Sequence, residues 1–76
     1  MVNNLDECQL TEIFFKYGEE KYSRSIARAI VRERAGQAIE TTDRLAEIIK
    51  NSVPQSYRRD GHPARKVFQA LRIAVN

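Results

Sequence analysis

A chain of 76 residues, 42% hydrophobic and 30% charged with three glycines and two prolines, has the make-up of one small helical domain rather than a disordered tail. No apolar run approaches the roughly 20 residues that cross a bilayer, and the acidic N-terminal stretch is unlike a signal peptide, which predicts a cytoplasmic protein without a membrane partner. A single cysteine, Cys8, and a single histidine, His62, exclude an internal disulfide and a structural zinc site. The net charge of +3 is unevenly placed. Asp6, Glu7, Glu12, Glu19 and Glu20 outnumber Lys16 and Lys21 in the first 22 residues, whereas nine arginines and two lysines dominate the rest. Arginine binds phosphate bidentately and stacks on bases, so an anionic partner is expected, nucleic acid first.

Asp6 with Gln9 fits a capping box, and Leu5 with Leu10 occupies the ends of a hydrophobic staple. Together they predict a helix over 7–17 with Leu10, Ile13, Phe14 and Tyr17 at helical spacing. Gly18 suits the left-handed residue that ends such a helix. Glu19 and Glu20 then favour the positive end of a second helix over 19–35, whose apolar stripe is Tyr22, Ile26, Ala29 and Ile30 and whose stop is Gly36. Its other side carries Arg24, Arg28 and Arg32 at i, i+4, i+8. Glu20 is placed to pair with Arg24, and nothing on that face neutralises Arg28. The row reads either as a solvated basic face or as a surface for RNA phosphate. Val31, on the basic side, and Glu33, toward the apolar side, find no role in this pattern.

After the connector Gln37 to Glu40, Thr41 or Thr42 caps a third helix over 42–53, with Asp43 in its first turn and Leu45, Ile48, Ile49 and Val53 as its stripe, ended by Pro54. A loop is expected next, from Gln55 to His62. Tyr57 beside Arg58 and Arg59 in such a loop is the combination that clamps unpaired RNA bases, although an ordinary surface loop fits the same residues. His62 as N-cap and Pro63 as first residue start a fourth helix over 63–76. Val67, Phe68, Leu71, Ala74 and Val75 make its core stripe. Arg65, Gln69, Arg72 and Asn76 form a row beside it, with Lys66 in the basic first turn, and Ile73 lies apolar on the far side of that row. A polar row without a carboxylate, flanked by an unburied isoleucine, suggests a docking surface; a solvated face is the alternative. The expected core is Leu10, Ile13, Phe14, Tyr22, Ile26, Ile30, Leu45, Ile48, Ile49, Val67, Phe68 and Leu71.

The stretch Gly61-His62-Pro63-Ala64, with Val67-Phe68-Gln69-Ala70-Leu71-Arg72-Ile73-Ala74-Val75-Asn76, resembles the C-terminal part of the helical insertion in the bacterial MraW family. Tyr17-Gly18-Glu19-Glu20, Ile26-Ala27-Arg28-Ala29-Ile30 and Thr41-Thr42 leading into Leu45-Ala46-Glu47-Ile48-Ile49 match in the same order. The resemblance covers nearly the whole chain, yet only the insertion. It implies a Rossmann-type methyltransferase that uses S-adenosylmethionine to modify the exocyclic N4 of a cytidine in 16S ribosomal RNA. It also implies an all-α bundle of about four helices excised from that enzyme, whose partners are 16S rRNA or the small ribosomal subunit and the catalytic domain. Met1, just before the family pattern enters the insertion, and Asn76, where a family helix would continue, both read as boundaries of a piece. On this reading Arg65, Gln69, Arg72 and Asn76 line the side facing the catalytic domain and substrate, while Tyr57, Arg58, Arg59 and His62 flank it as an RNA-contact loop. These roles follow from face and charge.

Catalysis by this chain alone is not expected. Gly18, Gly36 and Gly61 are isolated, so no Gly-rich turn offers S-adenosylmethionine a cradle, and no cofactor or metal is expected in the chain itself. Cys8 and His62 are far apart, and Glu19 and Glu20 face different directions, which leaves no nucleophile with a base and no acid/base pair. Two other classes stay open: a free-standing helical nucleic-acid-binding module, and a protein-interaction adaptor anchored on Ile73 and Val31. The long connection between the third and fourth helices counts against a DNA-binding helix-turn-helix.

Overall fold

Asp6 accepts the Gln9 N–H through Oδ1 at 2.8 Å, and the Gln9 side chain returns to accept the Asp6 N–H at 3.0 Å. This reciprocal cap starts the first of five helices in the computed structural model, which describes residues 2–60 and 63–75. They are α1 Glu7–Gly18, α2 Ser23–Gly36, α3 Thr42–Asn51, α4 Gln55–Asp60 and α5 Pro63–Val75, with no strand among the described residues. The fold is all-α, as the periodicity requires. α1 packs on α2 and α5, and α3 packs on the same two helices, so the four longer helices close around one core while α4 bridges α3 to α5.

The centre of that core is Leu10 and Phe14 from α1, Ile26 and Ile30 from α2, Ile49 from α3 and Val67 from α5, all fully buried. Leu45 and Ile48 are buried beside them. Ile13, Tyr22, Phe68 and Leu71, expected in the centre, are only half-buried at its edge. Small side chains take their place: Ala27 and Ala70 are fully buried, and they let neighbouring helices approach closely. Ile39 and Val53, from the connectors, complete the core. Val31, apolar on the basic side of α2, is half-buried against it.

Three boundaries differ from the sequence expectation. Gly18 is the last helical residue of α1, and the left-handed conformation falls instead on Glu19, at φ 51° and ψ 37°. The reason is tertiary. A Cβ on Gly18 would lie 2.7 Å from the Lys66 carbonyl oxygen and 3.2 Å from the Ala70 Cβ, so Gly18 is where α1 and α5 touch backbone to backbone. The chain turns one residue later, with the N–H groups of Glu19 and Glu20 returning to the carbonyls of Phe15 and Phe14 at 3.1 Å each.

The second helix begins at Ser23, not at residue 19. Glu20 is fully buried in the turn before it and accepts the Tyr22 N–H at 2.9 Å. It makes no pair with exposed Arg24, because its carboxylate is folded inward. The expected loop after Pro54 holds the short helix α4. Pro54, with its φ pre-set, lets its carbonyl take the Tyr57 N–H at 3.1 Å and opens the turn.

The segment before α1 is fastened across the bottom of the bundle. The Asn3 side chain donates to the Ile39 carbonyl and accepts the Ile39 N–H, both at 2.8 Å. Arg34 donates to the Val2 carbonyl at 2.8 Å and also to that of Leu5. Thr41 caps α3 by accepting the Arg44 N–H at 3.1 Å.

Candidate nucleic-acid interface

Helical spacing places Arg24, Arg28 and Arg32 one turn apart along α2, opposite the buried Ile26, Ala27 and Ile30, and all three are exposed. Among the described residues Arg24 and Arg28 make no ion pair. Arg32 lies 3.8 Å from Glu33 with its side chain 71% exposed, a loose surface contact that leaves its guanidinium available. The row is therefore a continuous basic edge.

On α5, Arg65, Gln69 and Arg72 are exposed in a second row, with Ile73 exposed next to it. Asn76, the fourth member of that row, and His62 lie outside the described residues. So do the side chains of Arg58 and Arg59, which belong to α4.

Tyr57 and Lys66 come together, each half-buried. The Tyr57 ring meets Tyr22 edge-on, with centroids 4.6 Å apart at 69°. The Lys66 Nζ donates to the Tyr57 hydroxyl at 3.3 Å and stands 5.7 Å from its ring centroid. This arrangement ties α4 to the turn before α2 and to the first turn of α5. Burial, and then the neighbouring Glu20 carboxylate, hold the Tyr57 phenol above its ordinary pKa. The Lys66 ammonium is likewise raised, first by its hydrogen bond to Tyr57. Among the described residues Glu20 Oε1 has no hydrogen-bond partner, although the residue is completely enclosed, and an unpaired buried carboxylate oxygen is costly.

Sequence reasoning missed the seam between α2 and α3. Glu33, which had no role in the helical pattern, faces across it to Arg44, whose Nη2 lies 3.9 Å from Glu33 Oε1. Arg44 also donates to Gln37 Oε1 at 3.0 Å and to the Glu33 carbonyl at 3.4 Å. The signal in the sequence is the acid placed toward the apolar side of α2, where a cation on a neighbouring helix can meet it.

These features define a small all-α module that displays arginine along an exposed helix edge and a polar row on its last helix. The chain belongs to the MraW methylase family, whose sequence model matches residues 1–76. It is 57% identical to the ribosomal RNA small subunit methyltransferase H of Lactiplantibacillus plantarum over 77 aligned residues, which cover all of this chain and 24% of that protein. Proteins of the same name from Lactobacillus delbrueckii subsp. bulgaricus and Clostridium botulinum are each 53% identical, with 24% and 25% of their lengths covered. The chain thus spans about a quarter of the length of the curated relatives it matches.

Proposed function

We propose that this chain is the RNA-recognition domain of a methyltransferase that acts on the small-subunit ribosomal RNA, with methyl transfer carried out by residues outside these 76. The observation that carries the reading is the exposed Arg24, Arg28, Arg32 edge, on a chain whose relatives are named as ribosomal RNA methyltransferases. A row of arginines one helical turn apart, free of carboxylate partners at two of its three members, tracks a phosphate backbone.

The S-adenosylmethionine that such a reaction consumes does not fit the residues described here. The space beside Gly18 is filled by α5, and a side chain at Gly36 would meet nothing within 4 Å, so neither glycine lines a cradle. This domain's part is to bind and orient the RNA, and the cofactor and the target cytidine N4 belong to the catalytic domain. The exposed Gln69 and Arg72, with Asn76, face that domain and the substrate; Arg65, Lys66, Arg58, Arg59, Tyr57 and His62 extend the RNA-contacting side. Work in the cytoplasm on 16S rRNA or the small ribosomal subunit follows from this reading.

The test is the salt dependence of RNA binding. Each phosphate neutralised contributes roughly 0.7–0.9 to the slope of log affinity against log salt. Arg24→Glu with Arg28→Glu should weaken binding to many RNA sequences and flatten that slope. Unchanged affinity and slope would reject the α2 edge as a phosphate track. In the full-length enzyme, Gln69→Ala or Arg72→Ala should impair methylation more than general RNA binding; normal methylation by both would leave that row a solvated face.

A further inference from the structure

Helix α4 is six residues long, too short to hold itself together, and its sequence is polar apart from the ring of Tyr57. Of its described side chains, Gln55 and Ser56 are exposed and Tyr57 alone packs on the core. Whatever holds Tyr57 therefore holds α4. The ring, edge-on against Tyr22, supplies one restraint. The hydroxyl supplies the other: it accepts from Lys66 Nζ at 3.3 Å, which uses a lone pair and leaves the phenolic proton to be donated.

Glu20 is the acceptor available for that proton. It is fully buried in the turn before α2, its Oε2 takes the Tyr22 N–H at 2.9 Å, and among the described residues its Oε1 has no donor. Its carboxylate acts on both neighbours. Behind burial, it holds the Tyr57 phenol above its ordinary pKa; behind the hydrogen bond to Tyr57, it helps with Glu19 to raise the Lys66 ammonium. A carboxylate enclosed in a fold is costly unless donors and a cation offset it. Here the cation is Lys66 at the start of α5, and the phenol of α4, which can both donate and accept, couples the two. The group thus pins α4 between the α1–α2 turn and α5.

Arg58 and Arg59 follow Tyr57 directly in α4, so the contact that fixes Tyr57 also fixes the backbone that carries them. We propose that the buried Glu20 carboxylate is a positioning residue for RNA binding: through Tyr57 and Lys66 it docks α4 on the bundle and presents Arg58 and Arg59 from a fixed place. The inference rests on the RNA-recognition reading above and adds to it a residue that itself touches no RNA. Arginines on a docked helix lose less freedom on binding than arginines on a loose segment, so docking is read out as affinity.

The test is Glu20→Gln in the 76-residue chain, which keeps the shape and an acceptor for the Tyr22 N–H while removing the charge. The amides of α4 should lose protection from hydrogen exchange while those of Leu10, Phe14 and Ile30 stay protected. RNA affinity then separates positioning from plain electrostatics. Loss of a carboxylate makes the chain more positive, which by charge alone tightens RNA binding, whereas an undocked α4 weakens it. Binding of a short single-stranded RNA should fall about threefold or more, because affinity follows the fraction of chains in the competent state. Arg58→Ala with Arg59→Ala should weaken RNA less in the Glu20→Gln background than in the wild type, and Arg24→Glu equally in both. If Glu20→Gln does not fold, Tyr57→Phe, which keeps the ring and the buried carboxylate, is expected to give the same pattern. An α4 as protected in these variants as in the wild type, or RNA binding that is unchanged or tighter, overturns the proposal and leaves the α2 edge as the phosphate track. RNA that does not bind the wild-type chain defeats both readings.

Discussion

Replacing Gly18 by alanine sets two effects of opposite sign against each other. A glycine inside a helix is about 0.8–1 kcal/mol worse than alanine, so on propensity alone the variant gains stability. The new Cβ, however, would stand 2.7 Å from the Lys66 carbonyl oxygen and 3.2 Å from the Ala70 Cβ. The first of these contacts is with backbone, which no side-chain rotation relieves, so α5 must move away along a buried interface. Overpacking of that kind costs about 1–3 kcal/mol, and with the propensity gain set against it the net expectation is a loss of up to about 2 kcal/mol. For a domain of this size, that is up to roughly 15 °C in thermal midpoint, measurable by circular dichroism or urea unfolding. The companion substitution Glu19→Gly separates this account from one in which Gly18 is the left-handed residue. Glu19 carries φ 51°, so glycine there should stabilise by about 0.5–1 kcal/mol. Gly18→Ala at or above wild-type stability would refute the close-contact argument. Glu19→Gly without a gain would refute the assignment of the turn.

Tyr57→Phe removes the acceptor for Lys66 and should cost about 1 kcal/mol at neutral pH. Both Tyr57 and Lys66 have pKa values raised by folding, so each binds its proton more tightly in the native state. Their contribution is complete below about pH 10 and is lost as pH rises through the folded-state values. The wild-type chain should therefore lose stability above about pH 10, and the Tyr57→Phe variant should lose it less steeply; parallel melting curves against pH would contradict the contact. Phe14→Ala should cost about 3–5 kcal/mol because the ring is fully enclosed, and Phe68→Ala about 1–3 kcal/mol because it sits at the core's edge. Equal losses in urea unfolding would show that the two rings are equally buried.

What the sequence made legible is what neighbouring residues decide among themselves. The Asp6–Gln9 cap, the Thr41 cap and the exposure of the α2 arginines and the α5 row all follow from spacing within one helix. What it hid depends on contacts between helices. Charged Glu20 reads as a surface residue, yet the short turn between α1 and α2 folds it inward onto the Tyr22 N–H. Helix α4 is too short to announce itself by periodicity, and it is secured by Tyr57 lying against Tyr22. Arg44 and Glu33 are eleven positions apart on different helices, so no single helical face could pair them. The seam they bridge was invisible for the same reason.

The Asn3 clasp on Ile39 bears on how the bundle comes apart. Its two hydrogen bonds join residues 36 positions apart in sequence, and Arg34 seals the same strap from the end of α2. A contact of that span closes a long loop, so it is expected to form after the local α1–α2 and α2–α3 pairings have brought its ends together. Interactions made late leave the folding rate almost untouched and act on the escape from the native state. The strap should then act as a kinetic latch: Asn3→Ala is expected to speed unfolding and shorten the lifetime of the closed bundle while refolding keeps nearly its usual pace, and stopped-flow rates in which refolding slows instead would place the strap among the early contacts.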